Sequence, residues 1–435
     1  MNSDYLKFLR KNRTMVIASD GAKLWASKVY YALDKGFIFL IEKGSLMLEN
    51  IRRNNQVAFE IDDNKLRIFI QGSGRVEILG EPSEFNRERG ILVYKVPEDQ
   101  VFINHEHVLI ARLIPEKIRV TDMRVKFLKK DEPFELDELK EKVNPYFRII
   151  RPWSFYQSLA AYISGIALSG KILIIPAMLG AVALILAHGS FNTISEYFDY
   201  TQRIDTEKSL SGARVIVDQL ITKERALYYF IALFIISLSI GIYLLITNMQ
   251  ILIYIIIGTI GGLLYGIPKI GFKKLALGDI SVLIVWSFGI FLGAYSLMGS
   301  RVTLPVVLIS LPIGLLTLDI LHANNWRDIN YDKSRGVRTI ANLLGGKGSL
   351  YYYITMIISS YVIFLIYSIY YHIFSSILIL ATVPSAYKLI NISLHKENIN
   401  FGKLDQLTAN FTLLFGIIES IVFFSYYFPH IRIIF

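Results

Sequence analysis

The chain of 435 residues contains no cysteine. The absence of thiols excludes disulfide bonds, thiolate metal sites and cysteine nucleophiles, and it leaves the redox state of the compartment unreadable. The N-terminal stretch MNSDYLKFLRKNR is basic, but no apolar run of signal-peptide length follows it. We therefore expect the first domain to stay in the cytoplasm, without cleavage or export.

Charged residues are scarce after residue 150, except in a few loops. The hydrophobic content of 53% and the mean hydropathy of +0.44 are too high for an ordinary soluble enzyme. Runs rich in Ile and Leu, each about 20 residues long, can cross about 30 Å of hydrocarbon as helices. We count nine such spans, at 154–170, 172–191, 227–246, 250–267, 279–298, 303–323, 350–371, 373–393 and 408–428. They predict an all-α bundle of nine transmembrane helices, integral to the cell membrane.

Basic residues crowd the loops after the second, fourth, sixth and eighth spans. They include Arg203, Lys208, Arg214, Lys223, Arg225, Lys269, Lys273, Lys274, Arg327, Lys333, Arg335, Arg338 and Lys347. The positive-inside rule places these loops and the N-terminus in the cytoplasm. Topology, anionic membrane lipid and diphosphate explain the net charge of +10, so no nucleic-acid partner is expected.

Short β-branched runs separated by turn residues fill residues 14–125. The runs are TMVIAS, LWASKVYYAL, FIFLIE, QVAFEID, LRIFIQGSGRVEIL, HVLIARLIP and KIRVTD. They predict a small antiparallel β-barrel, with short helices at SLMLENIRRN, where Ser45 is the expected N-cap, and at PSEFNRERGILVYKV. The charged stretch 126–142 is typical of a linker and an amphipathic helix. The predicted domains are a barrel at 1–135, a linker and amphipathic helix at 136–150, and a membrane domain at 151–435.

The end of the second span carries a row of oxygen ligands. Asn192, Glu196 and Asp199 are four and three residues apart, so on a helix their oxygens share one face at the cytoplasmic end of the span. Asp205 follows in the loop. This pattern predicts a site for a hard cation; the alternative is that the carboxylates only solvate the helix end.

The end of the sixth span repeats this spacing. Asn325, Asp328 and Asp332 lie on one predicted helical face, at the same membrane depth as the first cluster. Two facing oxygen clusters suit magnesium bridged by a diphosphate, because magnesium favours carboxylates, water and phosphate oxygens. The repetition makes simple solvation of the helix ends the weaker explanation.

Basic side chains follow the fourth span. Lys269, Lys273 and Lys274 come directly after Tyr265. They would neutralise a diphosphate beside the two oxygen clusters, and the alternative is that they serve topology alone. We expect a mixture of the two roles.

Three ionisable residues lie inside predicted spans, namely Asp319, His322 and Glu419. An ionisable group within the membrane is a functional candidate by default. For Asp319 and His322, proton handling and a buried polar pair are both open. The sequence indicates no role for Glu419.

These segments, in this order, resemble the UbiA superfamily of prenyltransferases over residues 145–430. The stretches SEYFDYTQRID, GARVIVDQLIT, YGIPKIGFKKLALGD and NNWRDINYDKSRGVRT resemble motifs of its 1,4-dihydroxy-2-naphthoate polyprenyltransferase branch, which acts in menaquinone synthesis. The chain departs from that branch at four positions. Ser195 replaces the usual Asn, Glu196 replaces Asp, Arg203 replaces Gly, and Val337 replaces Lys.

The resemblance implies magnesium-dependent transfer of a polyprenyl group from a prenyl diphosphate to an aromatic acceptor like 1,4-dihydroxy-2-naphthoate. The allylic diphosphate ionises and a ring carbon attacks the cation in a water-poor site. The implied catalytic residues are Asp199, Asp328, Arg327, Lys269 and Lys273. The implied metal ligands are Asn192, Glu196, Asp199, Asp205, Asn325, Asp328 and Asp332. The implied substrate contacts are Arg151, Tyr200, Arg214, Tyr265, Lys274 and Arg338.

The first 125 residues resemble the pyridoxamine 5'-phosphate oxidase-like split barrel, on DGAKLWASKVYYAL, GSLMLENIRRNNQVAFEI and IQGSGRVEIL. This resemblance implies FMN as a cofactor, with Lys28 and Ser45 as binding residues. Met47 stands where flavin-binding members usually have Lys, which removes one charge-assisted phosphate contact. A barrel kept for regulation, dimerisation or scaffolding without flavin is therefore the alternative.

Two other functions fit parts of the sequence. One is a prenyltransferase that acts on another quinone or on a lipid precursor. The other is a non-enzymatic membrane scaffold or transporter with a flavin-sensor domain. This last hypothesis predicts that function is indifferent to Asp199, Asp328 and Asp332, because metal-diphosphate chemistry alone needs all three.

Overall fold

The chain forms two compact units in the computed structural model. The model describes residues 1–63, 67–97, 103, 107–125, 128–206, 213–268, 271–272, 275–334, 337–395, 399–427 and 432–434. The first unit combines Met1–Arg148 with Asp205–Lys223, and the second combines Ile149–Ile204 with Glu224–Phe435. The first contains a β-barrel and the second is helical, which confirms the predicted order of fold classes. The membership of 205–223 in the barrel unit was not predicted.

Six antiparallel strands build the barrel. They are β1 (Thr14–Ser19), β2 (Trp25–Leu33), β3 (Phe37–Glu42), β4 (Gln56–Asp62), β5 (Ile68–Gly80) and β6 (Val108–Asp122). They pair in the order β3-β2-β1-β4-β5-β6, and β6 pairs with β3 to close the barrel. The predicted strand runs are confirmed, because alternating side chains and intervening turn residues mark each strand.

Two of the predicted runs form the single strand β6. Pro115 lies between them, opposite Gly74, at a shift of register between Ser73 and Gly74. A proline has no N–H to donate to the ladder, and a bulge is a place where that loss is tolerated. The strand therefore continues through the proline, and β5 and β6 remain paired along their length.

Among the described residues, the helices α1 (Ser3–Lys11), α2 (Leu46–Arg53) and α3 (Asn86–Lys95) accompany the barrel. The two predicted helices correspond to α2 and α3. Ser45 is the N-cap of α2, as predicted, and its hydroxyl accepts a hydrogen bond from the Leu48 amide. Helix α1 was not predicted, although it buries Tyr5, Phe8 and Leu9 against the barrel core.

The stretch 126–142 was predicted as a linker and an amphipathic helix. Its described residues instead add a seventh strand to the sheet and form a short turn. Strand β7 (Leu128–Asp131) pairs with β6, and Leu136–Glu138 is a 3-10 turn. All four residues of β7 are exposed, so the strand has no hydrophobic alternation that the sequence could reveal. Ion pairs from Lys117 and Arg119 to Asp131 accompany this exposed edge.

The short helix α4 (Pro145–Ile149) lies at the boundary of the two units, and the helical unit begins at its last residue, Ile149. The following helices are α5 (Phe155–Leu168), α6 (Ile174–Thr201), α7 (Lys223–Thr247), α8 (Leu252–Gly266), α9 (Gly278–Leu283), α10 (Leu292–Leu297), α11 (Leu304–Ile309), α12 (Leu311–Arg327), α13 (Ile329–Ser334), α14 (Ile340–Tyr370), α15 (Val383–Leu394) and α16 (Leu404–Tyr427). A π-helical stretch, Ile284–Phe291, joins α9 to α10. Two short strands, β8 (Lys171–Leu173) and β9 (Arg432–Ile434), pair in parallel.

Eight helical segments of the described chain are long and apolar enough to cross a membrane. They are Ile174–Thr201, Lys223–Thr247, Met249–Gly266, Gly278–Leu297, Leu304–Arg327, Ile340–Tyr370, Phe374–Leu394 and Asn400–Tyr427. The predicted first span corresponds to α5, which has 14 residues and is shorter than the roughly 20 that a span needs. The count of nine is therefore not confirmed and stays a prediction.

Helix α5 is a central packing element despite its length. The Ser164 hydroxyl lies 2.9 Å from that of Ser420 on α16, and both are buried. A Cβ placed on Gly416 would lie 2.9 Å from the Cβ of Ala160, so the glycine permits close approach of α5 and α16. Small residues and paired hydroxyls thus hold these two helices together.

Candidate active site of the membrane unit

The first oxygen cluster lies on one uninterrupted helix, α6. Asn192, Glu196 and Asp199 all fall within it, before its last residue Thr201. Glu196 is fully buried and Asp199 is 4% exposed. Buried carboxylates are costly without compensating charge, and an Arg151 guanidinium nitrogen lies 3.7 Å from Glu196 Oε2.

The orientation of the Asn192 amide is fixed by two acceptors. Its Nδ2 donates to the Ile150 carbonyl at 2.8 Å and to the Ser154 hydroxyl at 3.1 Å. An amide has two N–H donors and one oxygen acceptor, so both hydrogens are used here. The Oδ1 atom is thereby assigned, and it is the atom of this side chain with the chemistry of a metal ligand.

A partly buried histidine supports this arrangement from one turn earlier on α6. His188 has Nε2 3.2 Å from Ser154 Oγ and Nδ1 2.9 Å from Ser158 Oγ. Because Ser154 Oγ–H donates to the Arg151 carbonyl, His188 Nε2–H must be the donor to Ser154. The neutral imidazole then accepts from Ser158 through Nδ1. No motif in the sequence indicates His188, since a lone histidine in an apolar run gives no signal of its partners.

Arg151 itself has an unusual backbone conformation. Its φ of +52° lies in the left-handed region that non-glycine residues seldom adopt. It precedes a 3-10 turn, Pro152–Ser154, that leads into α5. Strained backbone of this kind is found at functional sites, where the surroundings hold it.

The helix that carries the second oxygen cluster is interrupted, so the prediction that the cluster lies on one helical face was wrong. Helix α12 ends at Arg327, Asp328 is its C-cap with φ of −96°, and Asp332 lies on the separate helix α13. The Asp332 amide still donates to the Asp328 carbonyl at 2.9 Å. Spacing in the sequence predicts a shared face only while the helix continues, and here it does not.

Arg327 is held by carboxylates and carbonyl groups. It makes a two-pronged contact with Asp328, Nε to Oδ1 at 2.9 Å and Nη2 to Oδ2 at 2.8 Å, and a further contact with Asp405 at 2.9 Å. Such bidentate pairs are the strong charge-assisted kind. Arg327 and Asp328, both predicted to be catalytic, are therefore paired with each other in this structure.

Asp279 joins the second cluster to a buried histidine. Its Oδ2 lies 3.2 Å from His322 Nδ1, and its Oδ1 lies 3.5 Å from Asn325 Nδ2. Asp279 and His322 are at most 1% exposed. Asp319 is also fully buried, and both its oxygens lack a hydrogen-bond partner among the described residues. The sequence showed Asp319 and His322 as candidates but gave Asp279 no role, because it lies 43 residues away from His322.

A cavity of about 390 Å³ opens within the helical unit. Its polar lining includes Arg151, Asn192, Ser195, His188 and Tyr265. Its apolar lining includes Leu184, Phe234, Leu244, Ile255, Val285 and Leu297. Three residues predicted from the sequence, Arg151, Asn192 and Tyr265, thus share one cavity with an otherwise apolar wall.

The helix that carries part of this wall is irregular. The π-helical stretch Ile284–Phe291 contributes Val285, Trp286 and Gly289 to the lining. The Trp286 ring meets the His188 ring edge-on, with centroids 5.7 Å apart. Departures from α-helical geometry of this type are frequent at functional sites.

The other predicted site residues that the structure describes do not line this cavity. Asp205 and Arg214 belong to the barrel unit, where Arg214 lies 3.3 Å from Asp218. Tyr200 on α6 is 39% exposed, and Arg338 is exposed. The predictions for Lys269, Lys273 and Lys274 fall outside the described residues.

Among the residues that the structure describes, no group of three or more His, Asp or Glu side chains is placed to hold a metal by itself. The oxygen clusters instead offer pairs, such as Glu196 and Asp199 with the Asn192 amide oxygen. Magnesium commonly binds through one or two carboxylates and completes its shell with water and substrate phosphate. The donor set fits that mode rather than an all-protein cage.

The residues predicted to bind flavin have other roles or none in the barrel. The Ser45 hydroxyl caps α2 and donates to the Glu42 carbonyl at 2.8 Å. Lys28 is exposed on β2. FMN gains no support from these residues and is not part of the function proposed below.

The eight long apolar helical segments of the described residues, with a cavity among the helices, define a multi-pass membrane protein. The UbiA prenyltransferase family model matches residues 158–405, which is more than half of the chain. The chain belongs to this family, and it is a prenyltransferase.

Curated relatives cover the same part of the chain. UbiA prenyltransferase domain-containing protein 1 of Mus musculus is 33% identical over 301 residues, covering 66% of this chain and 88% of that protein. The protein of the same name from Gallus gallus is 30% identical over 285 residues, covering 64% and 84%. The homolog from Drosophila melanogaster is 27% identical over 286 residues, covering 64% and 78%.

Solved structures similar to the chain include a UbiA homolog from Archaeoglobus fulgidus. It is 19% identical, covers 66% of this chain and 98% of that chain, and has a TM-score of 0.49. A structure of a UbiA homolog from this organism bound to GPP and Mg2+ is 16% identical, covers 65% and 100%, and has a TM-score of 0.48.

Proposed function

We propose that this prenyltransferase moves a polyprenyl group, with magnesium, from a prenyl diphosphate to an aromatic acceptor of the 1,4-dihydroxy-2-naphthoate type. The product would be a quinone precursor in menaquinone-like biosynthesis. The observation that carries the proposal is the cavity whose polar lining combines Arg151, Asn192 and Tyr265 with long apolar walls. This combination suits a ligand with a charged head and a hydrocarbon tail.

Magnesium fits the first cluster through the Asn192 Oδ1 atom and the Glu196 and Asp199 carboxylates. Asn325 and Asp328 would hold metal at the second cluster. When bound, the metal supplies Lewis-acid stabilisation of the charge that develops on diphosphate. Asp205 and Asp332 remain predicted ligands on the strength of the motif alone.

The chain's own residues would orient and protect the substrates. Arg151 lines the cavity beside Glu196, which supports the proposal that it binds a diphosphate oxygen. The apolar walls would exclude water and so protect a reactive allylic cation from hydrolysis. Tyr265 lines the same cavity and offers a hydroxyl to either substrate.

The acceptor is the finer part of the proposal. It rests on the motifs SEYFDYTQRID and NNWRDINYDKSRGVRT, which resemble the naphthoate branch. The names of the relatives reported above identify no acceptor. A prenyltransferase for another quinone or for a lipid precursor is the competing possibility.

The test uses purified full-length protein in lipid nanodiscs with magnesium and geranylgeranyl diphosphate. The acceptors 1,4-dihydroxy-2-naphthoate, 4-hydroxybenzoate and geranylgeranylglyceryl phosphate are offered separately. A magnesium-dependent prenylated naphthoate would support the proposal. Product with another acceptor alone would reject the naphthoate assignment and keep the enzyme class.

We further propose that the protein crosses the cell membrane nine times. The barrel and the two oxygen clusters then face the cytoplasm. The cysteine-free chain suits single-cysteine labelling with a membrane-impermeant maleimide. Glu81→Cys and Lys333→Cys should react from the cytoplasmic side, and Arg301→Cys from the other side. The same sidedness for Arg301→Cys and Lys333→Cys would overturn this topology.

A further inference from the structure

Part of the connection between α6 and α7 is a buried component of the barrel unit. Ala213, Val215, Ile216, Val217 and Ile221 are at most 6% exposed. A connection between two membrane helices usually runs over a surface, where its backbone can bind water. Burial of this stretch therefore requires specific packing, and the barrel provides contacts to its residues Asp218 and Leu220.

A buried ion pair fastens the stretch to helix α3 of the barrel. Arg89 Nη2 lies 2.9 Å from Asp218 Oδ1, and the two side chains are 3% and 1% exposed. Arg214 Nη2 lies 3.3 Å from the same oxygen. Removing one member of a buried pair leaves an uncompensated charge, so the energetic penalty for separating them is high.

Shape complements charge at this contact. Gly90 follows Arg89 on α3, and a Cβ at this glycine would lie 2.5 Å from the Asp218 Cβ. Leu220 packs against the small apolar cluster that contains Ile38 and Ile91. The Arg148 Nε atom donates to the Ala213 carbonyl at 2.9 Å. Charge, close packing and a main-chain contact thus act on one short stretch.

The stretch has its own turn structure, which the barrel contacts. The amides of Asp218, Gln219 and Leu220 donate to the carbonyls of Arg214, Ile216 and Val215 at 2.8–3.0 Å. Arg214 and Gln219 adopt left-handed φ values of +58° and +52°. Two such non-glycine residues in six positions are unfavourable unless the surroundings hold them.

We propose that the barrel is a clamp for residues 213–222, and that Arg89 is a positioning residue for prenyl transfer. The motif predicts Asp205 as a metal ligand and Arg214 as a substrate contact, and both belong to the same unit as the clamp, so this inference rests on the proposed function. Without the clamp, the connection would have to lose its conformational entropy each time substrate binds. The fused domain would then serve donor binding without any flavin.

The experiment compares three variants of the full-length protein in nanodiscs. Arg89→Gln removes the charge, Arg89→Lys retains it, and Gly90→Ala pushes on Asp218 without altering any charge. Alanine favours a helix over glycine, so a destabilising effect of Gly90→Ala must come from the contact. Arg53→Gln is the matched control, because Arg53 forms an exposed pair with Glu49 on α2, at 2.6 Å.

The first readout is hydrogen exchange of the amides in residues 213–222, with the strands β1–β6 as an internal reference for folding. Arg89→Gln and Gly90→Ala should accelerate exchange in the stretch by about tenfold or more, with the strands unchanged. Arg89→Lys should lie between these variants and the wild type. Arg53→Gln should have no effect.

The second readout is the Kd for geranylgeranyl diphosphate with magnesium, measured without any acceptor. We expect a rise of about tenfold in the two disruptive variants, in parallel with faster exchange. Faster exchange with an unchanged Kd would overturn the positioning role, and unchanged exchange would overturn the clamp. Because no acceptor is present, an error in the proposed naphthoate substrate leaves both readouts valid.

Discussion

The ends of α6 and α12 carry the same sequence spacing but differ in structure. At the end of α6, three oxygen-bearing side chains lie on a continuous helix, and Arg151 approaches Glu196 from another segment at 3.7 Å. At the end of α12, the helix stops and Asp328 pairs with its own neighbour Arg327. The arginine contact at the first end is a single long one, whereas the arginine contact at the second end is a short bidentate pair.

A second difference concerns the asparagines that open the two clusters. Asn192 has both amide hydrogens bound by neutral oxygens at 2.8 and 3.1 Å. Asn325 faces a carboxylate oxygen of Asp279 at 3.5 Å, the long limit of a hydrogen bond. Each arrangement includes a hydrogen-bonded histidine, but the hydrogen bonds of the asparagine are shorter in the first. We infer that the first end is the more rigid of the two proposed metal sites.

The largest effect should come from the carboxylates themselves. Asp199→Asn should lower kcat for prenyl transfer by about 10³-fold, and Asp328→Asn by about 10²-fold, since removal of one group that stabilises developing charge commonly has effects of this order. We expect the smaller loss for Asp328 because its bidentate pair with Arg327 lowers the charge that it offers to a metal. Steady-state transfer assays in nanodiscs measure both values.

Glu224→Gln is the matched control for these two variants, because Glu224 is an exposed carboxylate in the first turn of α7. It should retain wild-type kcat. A larger loss with Asp328→Asn than with Asp199→Asn would reverse the comparison between the two helix ends.

An intermediate effect is expected from the arginine at the second end. Arg327→Met should lower kcat by roughly 10-fold and should also tighten the apparent binding of magnesium by a few-fold, because Asp328 and Asp405 lose their cationic partner. Magnesium titrations of activity and of thermal stability give the two numbers. Arg301→Met, at an exposed arginine outside these clusters, is the control.

An unchanged magnesium affinity in Arg327→Met would show that the ion pair and the metal do not compete. The second end would then hold diphosphate through Arg327 rather than metal through Asp328. The two helix ends would then differ in function, with metal bound at the first and diphosphate at the second.

Local patterns predicted much of the fold. Strands such as Thr14–Ser19 and Gln56–Asp62 have the predicted bounds, because alternation and turn residues act within a few positions. The strand Leu128–Asp131 was missed, since all its side chains are exposed. The first span was predicted as 154–170, but α5 covers Phe155–Leu168, because hydropathy does not show where a helix ends.

The site was predicted in its residues more than in its contacts. Motif spacing indicated Asn192, Glu196 and Asp199, which do share a helix. It could not indicate that Asp279 meets His322, or that Asp218 meets Arg89, because these pairs are far apart along the chain. Long-range pairing depends on packing between elements, and single-sequence periodicity carries no information about it.

The smallest effect should come from the groups that orient the asparagines. Ser154→Ala removes one acceptor of the Asn192 amide and one partner of His188, and a lost hydrogen bond of about 1 kcal/mol corresponds to roughly a fivefold weaker binding of magnesium. Ser158→Ala removes the other histidine partner without touching Asn192, so its effect should be smaller.

At the second end, Asp279→Asn provides the parallel test. The variant keeps the shape of the side chain but removes the charge that faces His322 and Asn325. Because the contact with Asn325 is long, we expect less than a threefold change in magnesium binding, on the scale of a weak hydrogen bond. Magnesium-dependent shifts in thermal stability compare both variants without relying on turnover. If Asp279→Asn weakens magnesium binding more than Ser154→Ala does, the second end is the more tightly organised of the two, and the inference that α6 carries the rigid metal site is wrong.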